Sequence, residues 1–165
     1  MKNVWKFLKF NQYQFESDEN QLILVKFNWL SRQILAKSKE DKDLFKLEIV
    51  GMFRSKLIVR DNKGQELVKI EAKRWWKSNW QGLFQNQNFE VKVVNRPWVE
   101  YVLTIDGVEA LAYGLKPASD KVVLSVQQFI PLLKQSDYFH VLLFSLIRPV
   151  LMESMGNQIN MDLLD

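Results

Sequence analysis

Residues 73 to 82 read KRWWKSNWQG, which sets Lys73, Arg74 and Lys77 among Trp75, Trp76 and Trp80. Indole rings favour membrane interfaces and stacking surfaces, and the interleaved cations attract phosphate. The pattern therefore suits an anionic lipid headgroup or a single-stranded nucleic acid. A competing reading needs no ligand: on a strand Trp75 and Trp76 point to opposite faces, one into the core and one over its outer wall. Upstream, Arg54 and Arg60 extend the basic character, and from Arg54 to Lys77 eight cations face only Asp61, Glu66 and Glu71. The ligand-binding set read from these residues is Arg54, Arg60, Lys73, Arg74, Trp75, Trp76, Lys77 and Trp80. Its natural partner is an anionic phospholipid or a membrane surface.

Catalytic chemistry finds little to use. The one histidine, His140, lies in a run of apolar residues, where it reads as a satisfied buried polar group rather than a general base. Ser145 is five residues further on and would not share a helical face with it. Arg148, just before Pro149, is read as structural and in need of a carboxylate or carbonyl partner if buried. The sequence shows no Gly-rich phosphate loop, no clustered metal ligands and no paired-carboxylate motif. Cysteine is absent, which excludes disulfides, thiolate metal sites and thiol nucleophiles together. The expectation is a non-enzymatic protein without cofactors.

These residues must be held by something, and the dominant period along the chain is two. In DLFKLEIVGMF, Phe45, Leu47 and Ile49 alternate with Lys46 and Glu48, as a half-buried strand requires. Asp61-Asn62-Lys63-Gly64 separates KLIVR from ELVKIEA and marks a hairpin. Asp106-Gly107, between Ile105 and Val108, marks a second with a type I′ turn. AKSKEDKDL (36–44) and KPASD (116–120) read as loops, whereas QLILVKFNWL, FEVKVV and KVVLSV read as strands. About nine to twelve short strands result, at the spacing of a sandwich or barrel.

Against this background SDYFHVLLFSLIRPVLMES stands alone. Ser136 or Asp137 can cap a helix, with Asp137 favoured near its positive end, and from Tyr138 to Met152 the helix would be apolar almost all round. Such a helix is buried on every side. It is shorter than the ~20 apolar residues a span requires and includes His140, Arg148 and Pro149, so no transmembrane segment is expected. The predicted fold is mainly β, a barrel of short antiparallel strands enclosing one C-terminal helix over 137–154, as a single domain over residues 1–165. GNQINMDLLD (156–165) is either a short final strand or a frayed end.

Many short antiparallel strands followed by one very apolar helix resemble the tubby C-terminal-like superfamily, which includes the plant LURP-one-related proteins and the phospholipid scramblases. The family run YxIxGxF…IxDxxGxxVxxI is similar to KLEIVGMFRSKLIVRDNKGQELVKIEAK here, through Gly51, Phe53, Ile58, Asp61, Gly64, Val68 and Ile70. The resemblance covers residues 42–155. It implies a closed barrel of about twelve strands around a central helix, and lipid or small-ligand binding as the role. Lipid scrambling is not implied, since the chain has neither a cysteine to palmitoylate nor a calcium loop; EDKD at 40–43 is too sparse for one.

Charge is unevenly spread, +7 over residues 1–80 and −3 over 81–165. That excess is modest and accompanies no recognised nucleic-acid motif, so nucleic acid is not the expected partner. The amino-terminal residues, broken by Lys6, Lys9 and Asn11, have no signal-peptide run, and cytoplasmic residence is expected. Two roles stay open: binding of an anionic phospholipid or small ligand, and a structural or regulatory protein-interaction domain.

Overall fold

The computed structural model describes residues 4–17, 21–28, 30–51, 55–72, 79–84, 86–95, 98–118, 121–130 and 137–154. They form twelve strands and one helix: β1 (Val4–Lys9), β2 (Gln12–Glu16), β3 (Leu22–Asn28), β4 (Gln33–Ser38), β5 (Asp43–Val50), β6 (Lys56–Asp61), β7 (Glu66–Ala72), β8 (Asn79–Phe84), β9 (Gln87–Asn95), β10 (Val99–Ile105), β11 (Val108–Ala118), β12 (Lys121–Gln128) and α1 (Asp137–Ser154). The strand order is the chain order, a meander. The mainly β fold and the helix boundaries are those read from the sequence. Closure into a barrel is not shown: it needs a ladder joining the first strand to the last, and among the described residues none joins β1 to β12. Residues 156–165 lie outside the described residues.

The residues group into two compact units, one reaching Ile70 and one beginning at Glu71. In the first, period-two alternation fixes the register. Tyr13 opposes Val25, Val25 opposes Ala36, and Ala36 opposes Phe45. Ile34 opposes Leu47, which opposes Val59 on its other side. All of these are buried. A slip of one residue would turn this face out to water. Trp5 opposes Phe15, their ring centroids 4.9 Å apart.

In the second unit β8 to β12 form the sheet that receives α1, which packs against β10, β11 and β12. From Tyr138 to Ser145 every helix residue is buried, as are Ile147, Arg148 and Leu151. A helix wetted on one side would tolerate polar residues there, and this one has no broad polar face. Its first turn is seated by aromatic edges: Phe84 meets Tyr138 at 5.6 Å and Phe139 at 5.4 Å, and Phe89 meets Phe139 at 5.4 Å. The Asp106-Gly107 turn takes the positive φ angles expected of it, 48° and 83°.

Two expected loops are partly strand. β4 runs to Ser38 and β5 starts at Asp43, so the charged 36–44 stretch shrinks to a tight turn. β11 continues through Lys116 and Pro117, where Pro117 opposes Val122.

Candidate functional site

In an antiparallel meander successive turns alternate between the two ends of the sheet. In the first unit the β1–β2, β3–β4 and β5–β6 turns therefore share one end, and the β2–β3, β4–β5 and β6–β7 turns share the other. These ends differ sharply in chemistry.

At the first end, Phe10 and Asn11 join β1 to β2. Asn11 adopts φ 60°, a conformation that asparagine tolerates, and its carbonyl accepts from the Phe27 amide at 2.9 Å. The next turn is locked by the Asn28 side chain, whose Oδ1 accepts from the Leu30 amide at 3.2 Å and the Ser31 amide at 3.3 Å. Arg32 follows at φ 51°, and its carbonyl accepts from the Ile49 amide at 3.0 Å. These turns push two large apolar side chains into solvent: Phe10 is 74% exposed and Leu30 99%. Leu8 and Val50 are exposed behind them. Together these four are the exposed large apolar side chains among the first unit's described residues. Lys9 and Arg32 are exposed beside the tips, and the connecting sequences 8–12, 28–33 and 50–56 contain no aspartate or glutamate.

The opposite end carries both signs, with an excess of acids in its sequence, and is capped by polar side chains. Ser38 Oγ accepts from the Glu40 and Lys42 amides, and Lys37 pairs with Asp41 at 3.0 Å and Asp43 at 3.6 Å. Asp61 Oδ1 accepts from the Lys63 amide at 2.9 Å and the Gln65 amide at 2.8 Å. The Ser38 hydrogen bond holds the Glu40 carboxyl below its usual range.

Of the residues singled out from the sequence, Arg54, Lys73, Arg74, Trp75, Trp76 and Lys77 lie outside the described residues. Arg60, on β6, is committed to carboxylates: its Nε donates to Glu48 Oε2 at 3.1 Å, and its guanidinium approaches Glu66 at 3.5 Å and the Gly64 carbonyl at 3.3 Å. Lys46 joins the same group at 2.8 Å from Glu48, and its hydrogen bond, followed by that of Arg60, holds the Glu48 carboxyl below the ordinary value. Trp80, on β8, is half-buried against Tyr101 at 6.2 Å, with its indole N–H enclosed and without a hydrogen-bond partner among the described residues. The exposed turn tips Phe10 and Leu30, with Lys9 and Arg32, were not singled out from the sequence. Their signal is that every connection at that end pairs an aromatic or leucine with a cation and omits acids.

The second unit offers different chemistry. A depression of about 230 Å³ on the β8–β9–β10 surface is lined by Gln81, Asn88, Glu90, Lys92 and Thr104, with Lys92 paired to Glu90 at 3.0 Å. It presents no nucleophile with a base. His140 is 2% exposed, and its Nδ1 lies 2.9 Å from the Tyr113 hydroxyl. Burial lowers its pKa to about 3, so the ring is neutral and enclosed. Burial, with Asp137 adding to it, raises the Tyr138 hydroxyl to about 12. Ser145 Oγ donates back to the Leu142 carbonyl at 2.6 Å, which occupies its hydroxyl within the helix. Among the described residues no three His, Asp or Glu side chains converge as a metal site, and no helix is long and apolar enough to cross a membrane. No protein-family model, no curated protein and no solved structure matches the chain.

Proposed function

We propose that this protein binds anionic phospholipid surfaces in the tubby-like manner, without catalysing a reaction. The observation behind this reading is the polarity of the first unit: cations without carboxylates at one end, an excess of acids at the other. A surface of lipid phosphates attracts the first end and repels the second, so a weak net charge becomes an orienting one. Twelve strands and an apolar C-terminal helix also support the family resemblance drawn on Gly51, Asp61, Gly64, Val68 and Ile70.

Flotation with phosphatidylcholine vesicles, alone or containing phosphatidylserine or phosphoinositide, tests it across a salt series. Binding to the anionic vesicles alone, weakening as salt rises, is expected. Replacing Lys9 and Arg32 by Glu should reduce it at least about tenfold, roughly 1.4 kcal/mol. Equal binding to neutral vesicles, or none at low salt, rejects the reading. The second unit favours a protein-interaction role as the alternative, because Leu83, Val108 and Phe129 are large apolar side chains left exposed there.

A further inference from the structure

We propose that Phe10 and Leu30 enter the acyl region of an anionic bilayer as a paired wedge, with Lys9 and Arg32 at phosphate level. This deepens the lipid-surface reading and rests on it. Three observations support it. Among the described residues the two tips are the most exposed large apolar side chains of the first unit, and both sit at the same end. They are carried on hairpins adjacent in the sheet, and at about 4.8 Å per strand their tips fall roughly 10 Å apart, close enough to enter one patch of bilayer. The described residues of both turns are tied down before binding: the Asn11 carbonyl accepts from the Phe27 amide, and Asn28 Oδ1 accepts from the amides of Leu30 and Ser31.

Charge selects the occupant. Lys9 follows Leu8 and precedes Phe10, and Arg32 lies two residues beyond Leu30, so each apolar tip has a cation near the depth of the headgroups. A second copy of the chain meeting this end by a two-fold axis would set these cations against themselves. Against the opposite end of another copy's first unit the tips would meet no exposed large apolar side chain among the described residues. An anionic bilayer supplies both the phosphates and the apolar depth.

The chain has no cysteine, so one engineered thiol gives one label. Phe10→Cys, Leu30→Cys and, at the opposite end, Asn62→Cys are each coupled to a polarity-sensitive fluorophore. They are mixed with phosphatidylcholine vesicles containing or lacking phosphatidylserine, and flotation is read in parallel. Labels at positions 10 and 30 should brighten several-fold, shift to the blue and be quenched by acyl-chain bromolipids, only when phosphatidylserine is present. The label at 62 should stay unchanged. The unlabelled pair Phe10→Ser with Leu30→Ser, exposed and so neutral to folding, should lose about tenfold or more in binding. Vesicles that float the protein while labels at 10 and 30 remain water-like overturn the wedge and leave the lipid reading standing. No flotation at low salt removes both.

Discussion

The Tyr113 hydroxyl lies 2.9 Å from His140 Nδ1 and joins β11 to α1 within the second unit. Both residues are almost fully buried, so the bond satisfies groups that water cannot reach. Tyr113→Phe keeps the ring and removes the oxygen, leaving Nδ1 without that partner. A loss of about 1–3 kcal/mol is expected in urea unfolding, with the slope of the transition unchanged.

The same histidine sets a pH dependence. Its folded pKa is lowered from 6.5 to about 3, so the folded state holds it neutral while the unfolded chain takes up a proton below about 6.5. The stabilisation is complete above that value and falls away as the pH drops towards 3, at up to about 1.4 kcal/mol per unit. Unfolding midpoints measured between about pH 6.5 and 5, above the ordinary carboxylate range, should decline in the wild type and hold nearly level in His140→Leu. An equal decline in both would place the titrating group elsewhere.

Leu143 and Leu146 lie on the same helix with different surroundings. Leu143 is fully buried, whereas Leu146 is half-buried. Leu143→Asp should abolish folding and Leu143→Ala should cost about 2–5 kcal/mol. Leu146→Asp should be milder, leaving folded protein with a reduced Tm. Soluble yield and thermal unfolding of the three variants distinguish these outcomes.

Glu48 receives Lys46 and Arg60 together on the outer side of β5 and β6. Since its carboxyl is held below the ordinary value, the stabilisation is present at neutral pH and is lost as the pH falls through the lowered value. Glu48→Gln should cost about 1 kcal/mol or less at low salt and less still at high salt. Urea unfolding at two ionic strengths measures the difference.

Features encoded by adjacent residues were legible in the sequence. Asp106-Gly107 states its turn through positive φ, and the unbroken apolar character from Tyr138 onward states a buried helix. Asp61 to Gly64 states a hairpin, closed by the Asp61 amide on the Gln65 carbonyl at 2.9 Å. Where charge lies on the solvent side of a strand the signal misleads: Lys37 and Asp43 look like loop residues yet oppose each other across β4 and β5. Pro117 misleads for another reason. The β10–β11 ladder reaches only Gly114, so beyond it, among the described residues, β11 pairs with β12 alone and its other side asks for no N–H.

The candidate site was less legible because it is assembled from distant segments. KRWWKSNW announces itself by adjacency, and of that run the structure describes Trp80, packed on Tyr101. Phe10 and Leu30 are twenty positions apart, and Leu30 reads in the sequence as the end of the strand QLILVKFNWL. Only the alternation of turn ends in the meander shows that they share a side with Lys9 and Arg32. Arg60 illustrates the converse: counted as a free cation in the sequence, it is folded against Glu48 and Glu66.

The placement of α1 after all of its strand partners bears on how the chain is made. β10, β11 and β12 leave the ribosome before the helix that covers them, and at about 5–20 residues per second the interval is on the order of seconds. During that interval Leu103, Leu111 and Tyr113 lack the lid that finally encloses them, and the nascent sheet presents an apolar surface. A chain truncated before Asp137 should therefore bind a hydrophobic dye more strongly than the full-length protein.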